Sequence, residues 1–460
     1  MRHQRVVVAR YGGPQELQLI EEDAPEPKAG EVRVKILAAG VAMPDVMARE
    51  GIHPETPRVP YTPGWDFVGR VDALGDGVEG LGVGQLVGAM PISGSYAEYI
   101  CVKSQELVSI PDDLDAAEAV GLFLNYITAY QMLHHCAHAH PGQSILIHGA
   151  SGGVGTALLQ LGGLRGLTLY GTCSSRGAQT VIDLGGTPID YRRKDLHQEV
   201  LRLSSGGVDA VFDPFGGRHM WESRTALRDG GRVVAYGTTT TLREEGLGSP
   251  RRGHRNPLHG VPIFALYTLG GLLLPGRRRV VPYSIQWLKR LRPALFRRDL
   301  SALLELLRRQ RLKPIVAARL PLSQARQAHE LLSKGGVIGK IVLLPGADHP
   351  AQVRPDPSLE QTPTVRSAQS SVGTSHHRTA LAISGAPART ARQGCRLGLP
   401  ARPERHLVPS RCRCGTARRR HAVEQPRRRV HRRSGECDSI HPNAGARHPT
   451  LHARQSLSAR

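Results

Sequence analysis

Aromatic residues are scarce in this 460-residue chain: six Phe, three Trp and eleven Tyr, with none after Phe296. Lysine also stops early, at Lys340, while residues 347–460 hold 21 Arg against seven acids. That stretch therefore carries +14 of the formal net charge of +22, and the rest of the chain a modest +8. Without aromatics and with few aliphatics it cannot bury enough apolar surface for a core, so 347–460 reads as a disordered, Arg-rich tail. Its charge would attract nucleic acid only non-specifically, through phosphates, and says little about what the folded part binds. Arg, Pro, Ala, Gly, Ser and His are also what GC-rich DNA yields out of frame. The tail is accordingly read as a frameshift product or degenerate extension, against a functional linker.

Cysteine is sparse too. Only Cys101, Cys136 and Cys173 precede the tail, too scattered for a disulfide framework, and Met1-Arg2-His3-Gln4 opens no signal peptide. A reducing, cytoplasmic setting is expected. Long apolar runs are missing: the longest, 261–274, is broken by Pro262 and glycines and falls short of the ~20 residues of a bilayer span. It is expected to be a packing or dimer element. Cys412-Arg413-Cys414 lacks zinc-finger spacing.

Before the tail, two patterns are present. Short β-branched runs over 5–9, 17–21, 31–37, 67–73, 85–88 and 96–102, separated by Gly and Pro, suggest a barrel-like domain. After Pro111-Asp112-Asp113-Leu114-Asp115 the period changes to that of a helix over 116–138, with Asp113 or Asp115 as its cap. From Ser144 strands (144–149, 167–172, 208–213, 232–237, and one around Ile189) alternate with helices (to 164, then 176–184, 195–203, 218–228). This is the order of a doubly wound parallel sheet, an α/β architecture. Residues 241–283, rich in Arg, Gly and Pro, yield no clear element. Helices near 284–294 and 299–309, a strand over 315–320, a Ser323-capped helix to 332 and a strand over 340–344 complete the body.

The chemistry concentrates at Ser144-Ile145-Leu146-Ile147-His148-Gly149-Ala150-Ser151-Gly152-Gly153-Val154-Gly155. An apolar strand leads into a glycine turn and an apolar helix, the context a dinucleotide site requires. The pattern is A-x-G-x-x-G, with Ala150 at the usual first glycine. Gly152, Gly153, Val154 and Gly155 would lie along the pyrophosphate at the helix N-terminus. The second strand leads to Gly171-Thr172-Cys173-Ser174-Ser175-Arg176. It lacks the acid that would accept the 2′-OH of NAD. Ser174, Ser175 and Arg176 instead suit a 2′-phosphate, so NADPH is the expected cofactor. Ser174 or Ser175 as a plain helix cap is the alternative. Tyr191 and Lys340 complete the cofactor set.

Several ordered motifs carry a family resemblance: Gly40-Val41-Ala42-Met43-Pro44-Asp45, Pro63-Gly64-Trp65-Asp66-Phe67-Val68-Gly69 and Asn125-Tyr126-Ile127-Thr128-Ala129-Tyr130. The glycine turn, Asp209-Ala210-Val211-Phe212-Asp213 and Gly339-Lys340-Ile341-Val342 follow. With these the chain resembles the medium-chain dehydrogenase/reductase superfamily, in its zinc-independent quinone oxidoreductase-like branch, from about Arg5 to Pro345. The resemblance implies a GroES-like β-barrel catalytic domain (1–118, resumed at 285–346) interrupted by a Rossmann NADPH-binding domain (119–284). An interdomain active site and a homodimer are also implied. Zinc relatives place Cys in the first motif and His-Glu in the second; here Ala42 and Trp65-Asp66 stand there, and Ala and Trp cannot ligate a metal. No metal is expected. His134-His135-Cys136-Ala137-His138-Ala139-His140 is a metal suspect by composition, but lies where a helix C-terminus favours His.

Without a Lewis acid nothing stabilises an alkoxide, whereas hydride addition to a quinone or an α,β-unsaturated carbonyl needs only a hydrogen-bond donor. An NADPH-dependent reductase of such substrates is therefore expected. The alternative is a non-catalytic NADPH-binding relative with a structural or membrane-associated role. By resemblance Asn125 and Thr128 lie near the nicotinamide; as residues alone they are ordinary helix polar groups. His53 stands where many relatives carry Tyr, and is read either as a proton or hydrogen-bond donor near neutral pH or as a solvated loop residue. Tyr61 and Tyr130 are further cleft candidates. Asp45 is read as a buried structural carboxylate. Ala42 replaces the Asn usual in quinone reductases.

Overall fold

Period-two burial shapes the first lobe. The computed structural model describes residues 1–193, 195–237 and 277–346 and the backbone of 352–353. These belong to the first of the chain's two units, Met1–Arg366. The second unit, the apolar run at 261–274 and all but that fragment of the tail lie outside the described residues. Strands β1 (Arg2–Val8) and β2 (Leu17–Asp23) form an antiparallel ribbon. β3 (Glu31–Val41), eleven residues long, buries Val32, Val34 and Ile36 on one face. It is flanked antiparallel by β4 (Phe67–Leu74) and β6 (Tyr99–Lys103), while β5 (Leu86–Ala89) joins β4 to β7 (Val108–Ser109).

At Asp115 the helical period takes over. Its carboxylate accepts the Glu118 N–H at 2.9 Å, so Asp115, not Asp113, caps helix Ala116–Gly121. The helix continues to Cys136 through two widened π turns, Leu122–Tyr126 and Met132–Cys136. Asn125 sits in the first, a kind of turn that often marks a functional site.

The second lobe is a six-stranded parallel sheet built from β8 (Ser144–Ile147), β9 (Thr168–Cys173), β10 (Gly186–Asp190), β11 (Val208–Asp213), β12 (Leu227–Ala235) and β13 (Arg279–Pro282). Their order is β10-β9-β8-β11-β12-β13, the Rossmann 3-2-1-4-5-6 arrangement. β8 is buried throughout because it lies mid-sheet with helices on both faces. The order reverses between β8 and β11, and the ligand crevice of such sheets opens at that switch point. β13 falls within the stretch that gave no element in sequence. Its Arg279 and Pro282 mask the apolar pair Val280-Val281, and an edge strand needs no more than that.

Helices Ile285–Leu291 and Pro293–Arg308 follow, the second packing on the 116–136 helix. Pro293 opens the second helix, six residues before the sequence-based start, because proline suits the first helical turn. The chain rejoins the barrel sheet only at β14 (Val316–Pro321) and β15 (Lys340–Leu344), β15 pairing antiparallel with β3. Ser323 is not a cap: it lies in the 3₁₀ turn Leu322–Gln324 ahead of helix Ala325–Lys334. β16 (Gln352–Val353) pairs antiparallel with β14.

Candidate active site

β8 ends at Ile147 and the chain turns through Gly149 and Gly152 into helix Gly153–Leu164. Gly152 is its N-cap and supplies no side chain to the helix's first N–H groups, leaving them for an anion. A Cβ on Gly155 would stand 2.3 Å from the Gly149 carbonyl oxygen, so only glycine lets helix and turn approach this closely. A Cβ on Gly153 would stand 2.0 Å from the Asn125 side-chain nitrogen, so the Asn125 amide lies against the turn. Gly152, Gly153 and Val154 are half-buried and accessible, whereas Ala150 is fully buried against Gly171. Ala150 therefore serves the packing of the turn and offers no ligand contact. Gly339, which sequence reasoning did not single out, donates its N–H to the Ser151 carbonyl at 3.0 Å and lays the barrel's return strand along the turn.

At the carboxyl end of β9, Ser174 occupies the N-cap position of helix Ser175–Asp183 with no side-chain capping bond. The cap alternative thus loses its geometry. Ser175 and Arg176 are exposed, and Arg176 reaches over Gly336. Tyr191, 56% exposed, lies beside them through its N–H to the Cys173 carbonyl at 3.3 Å. An accessible helix N-terminus with hydroxyls and a guanidinium at the neighbouring strand end fits a 2′-phosphorylated dinucleotide.

Across the crevice, the barrel motifs are tied together by Asp45. Its carboxylate accepts the Ala42 and Gly64 N–H groups, each at 2.9 Å, joining the first motif to the second. Burial pushes its carboxyl up to about 7, and the role is structural, as the sequence suggested. Lys340 departs from its expected place. Its ammonium bonds Asp66 at 2.8 Å with both groups buried, inside the barrel wall against Gly40, and so is already engaged by a carboxylate.

His53 packs edge-on to Trp65, ring centroids 5.2 Å apart. Its Nδ1 accepts the Glu55 N–H at 3.2 Å, which puts the ring proton on Nε2. Burial lowers its pKa to about 4, so at neutral pH His53 is a neutral hydrogen-bond donor. The residue is half-buried, between a core position and a solvated loop. Tyr61 lies in the barrel core with Val8, Phe67 and Tyr96, not in an open cleft. Thr128 is buried and hydrogen-bonds the Tyr283 hydroxyl, which donates to Gln131 at 2.9 Å. That chain runs on from Gln131 to Asp299 at 3.2 Å and from Asp299 to His135 at 2.9 Å. Tyr130 stacks on His134, centroids 4.2 Å apart. The histidine-rich stretch thus finishes the helix and its packing, and no three-ligand metal grouping among the described residues includes it.

Two lobes meeting at a dinucleotide turn define a class, the two-domain nucleotide-dependent oxidoreductases. The chain matches the family model for an alcohol dehydrogenase GroES-like domain over residues 28–112 and that for a zinc-binding dehydrogenase over 177–343. It is 33% identical over 350 residues to the synaptic vesicle membrane protein VAT-1 homolog of Danio rerio, covering 74% of this chain and 70% of that one. Against the quinone oxidoreductase of Rattus norvegicus it is 29% identical over 350 residues, covering 73% and 96%. Its fold matches the Escherichia coli quinone oxidoreductase complexed with NADPH with a TM-score of 0.64 and 26% identity, covering 74% of this chain and all of that one. The chain belongs to the medium-chain dehydrogenase/reductase superfamily, in its zinc-independent quinone oxidoreductase-like branch. Among the described residues no helix is long and apolar enough to cross a membrane.

Proposed function

We propose that the chain is an NADPH-dependent reductase of a quinone or an α,β-unsaturated carbonyl. The observation that carries this reading is the Asp66–Lys340 pair beside Ala42 and Trp65. Where zinc relatives keep their ligands, this chain has two side chains without donors and a carboxylate already compensated by a buried ammonium. Such a wall supplies no ligand set for a Lewis acid and favours acceptors whose electrons spread onto oxygen.

When bound, NADPH supplies the hydride. The glycine turn would hold its pyrophosphate, while Ser174, Ser175 and Arg176, with Tyr191 alongside, would take the 2′-phosphate. Asn125, lying on Gly153, would fix the nicotinamide end, and Thr128, anchored to Tyr283, would keep that helix in place. His53 Nε2–H would donate a hydrogen bond to the substrate oxygen, with the final proton coming from water. Aerobic NADPH oxidation with 1,4-quinones and with enones is the test: turnover with either class supports the proposal, and tight NADPH binding without turnover on both overturns it. The latter outcome would favour a non-catalytic, NADPH-binding role. That second reading draws support from the higher identity to a protein named for vesicle membranes than to quinone oxidoreductases.

A further inference from the structure

His148 meets the sequence neighbours Asp213 and His219 where the Rossmann sheet reverses. His148 follows β8, Asp213 ends β11, and His219 lies on helix Gly217–Ser223. One ligand atom from each lies within 4.8 Å of the others. His219 Nδ1 is 2.7 Å from Asp213 Oδ2, and the His148 and His219 rings meet edge-on at 4.5 Å. His148 and Asp213 are buried, while the side chain of His219 keeps 27% exposure, which gives the group one route to solvent.

Two of the three, Asp213 and His148, are also held from behind. Asp213 Oδ1 accepts the Phe215 and Gly216 N–H groups at 2.8 and 3.0 Å, leaving Oδ2 to face the two imidazoles. Ser223 donates its hydroxyl to Asp213 Oδ2 at 2.8 Å and therefore accepts from His148 Nε2, at 3.1 Å. His148 Nδ1 lies 3.2 Å from Thr172 Oγ1, whose oxygen also accepts the Gly149 N–H at 3.2 Å. Thr172 can donate to the ring or accept from it. A tautomer shift that frees His148 Nε2 therefore still leaves Nδ1–H a partner.

We propose that His148, Asp213 and His219 form a binding site for a divalent transition metal of the zinc class. Two imidazole nitrogens and one carboxylate oxygen, with a fourth position open toward the exposed side, make a recognised donor set for such an ion. Thr172 behind His148, and the two amides behind Asp213, are the outer-shell partners that orient ligands. To bind, His148 would bare Nε2 by shifting its proton to Nδ1, where Thr172 can accept it, and His219 would present a bare Nδ1. The site is separate from Ala42 and Trp65 and shares no residue with the proposed hydride chemistry. It would clamp the entry of the glycine turn to the loop after β11.

The test is a Co²⁺ titration of the chelator-treated full chain. We expect one equivalent to give the visible d–d absorption of a four-coordinate nitrogen/oxygen site, displaced by Zn²⁺. It should lack the near-ultraviolet thiolate charge transfer that Cys395, Cys412, Cys414 or Cys437 would give. His219→Ala, at a partly exposed position, should weaken this binding by more than the ~10–100-fold that loss of an outer-shell partner costs, and Thr172→Val by about 10-fold. Circular dichroism confirms that each variant is folded. No such band at one equivalent, or an unchanged band in His219→Ala, would overturn the proposal and leave the group a hydrogen-bond network only.

Discussion

The two walls of the crevice are built on opposite plans. On the Rossmann side one local stretch, 148–155, does the work, and its geometry follows from glycines a few residues apart: Gly155 against Gly149, Gly152 as a bare N-cap. On the barrel side no local stretch suffices. Asp45 joins residues 42 and 64, and Asp66 finds its counter-charge 274 positions away at Lys340. A wall made from one segment tolerates change anywhere but in its turn. A wall made from distant charges depends on every partner.

The largest expected effect tests that dependence. Lys340→Met would strand Asp66 in the barrel and should cost about 3–5 kcal/mol of stability, the usual result of removing one partner of a buried pair. Urea denaturation measures it, and the double variant Lys340→Met/Asp66→Leu should recover most of the loss. Equal stability of single and double variants would show that the pair does not hold the wall together. Gly155→Ala comes next, since its Cβ meets backbone. Overpacking of about 3 kcal/mol spent on distorting the turn would weaken NADPH binding by about 100-fold while leaving the barrel's urea transition in place. Smaller again is Arg176→Ala. Losing one charged hydrogen bond of about 1.5–3 kcal/mol should lower NADPH affinity by about 10-fold or more and spare NADH. Equal losses for both nucleotides would remove Arg176 from the 2′-phosphate site.

The same contrast explains what was legible in the sequence. The parallel sheet and the turn follow from short apolar strands and nearby glycines, and these carry their own signal. Boundaries slipped where one end residue decides, as at Pro293 and Ser323. β13 stayed hidden because an edge strand of four residues with Arg and Pro at its ends has no periodicity to show. In the site, Gly152 and Arg176 were readable from strand–turn–helix order. Lys340 was included in the cofactor set, but its side chain goes to Asp66, a carboxylate that only the barrel's closure brings near. His53 was seen as a residue, but its protonation state depends on Trp65 and the Glu55 amide, which spacing does not report. The meeting of His148, Asp213 and His219 required the sheet order itself.

Both lobes also bury a neutral histidine, and acid should weaken both in the same pH range. His148 in the Rossmann sheet and His329 in the barrel are each depressed by burial to about 3. The folded state therefore binds fewer protons than the unfolded chain, whose histidines titrate near the ordinary imidazole value of 6.5. The stability at stake is fully present above pH 6.5 and drains away as pH falls toward 3, at up to about 1.4 kcal/mol per pH unit for each group. His148 is held by Thr172 and Ser223, and Asp213 beside it favours the charged ring. Among the described residues His329 has the Tyr96 hydroxyl at 3.3 Å, and Arg49 nearby opposes a second positive charge. With these neighbours in place both rings are depressed to the same value, so His329→Gln and His148→Gln should each flatten the loss of stability below pH 6.5 by a similar amount. Urea midpoints at half-unit pH steps measure it. An unchanged slope in either variant would mean that its histidine does not set the acid sensitivity of that lobe.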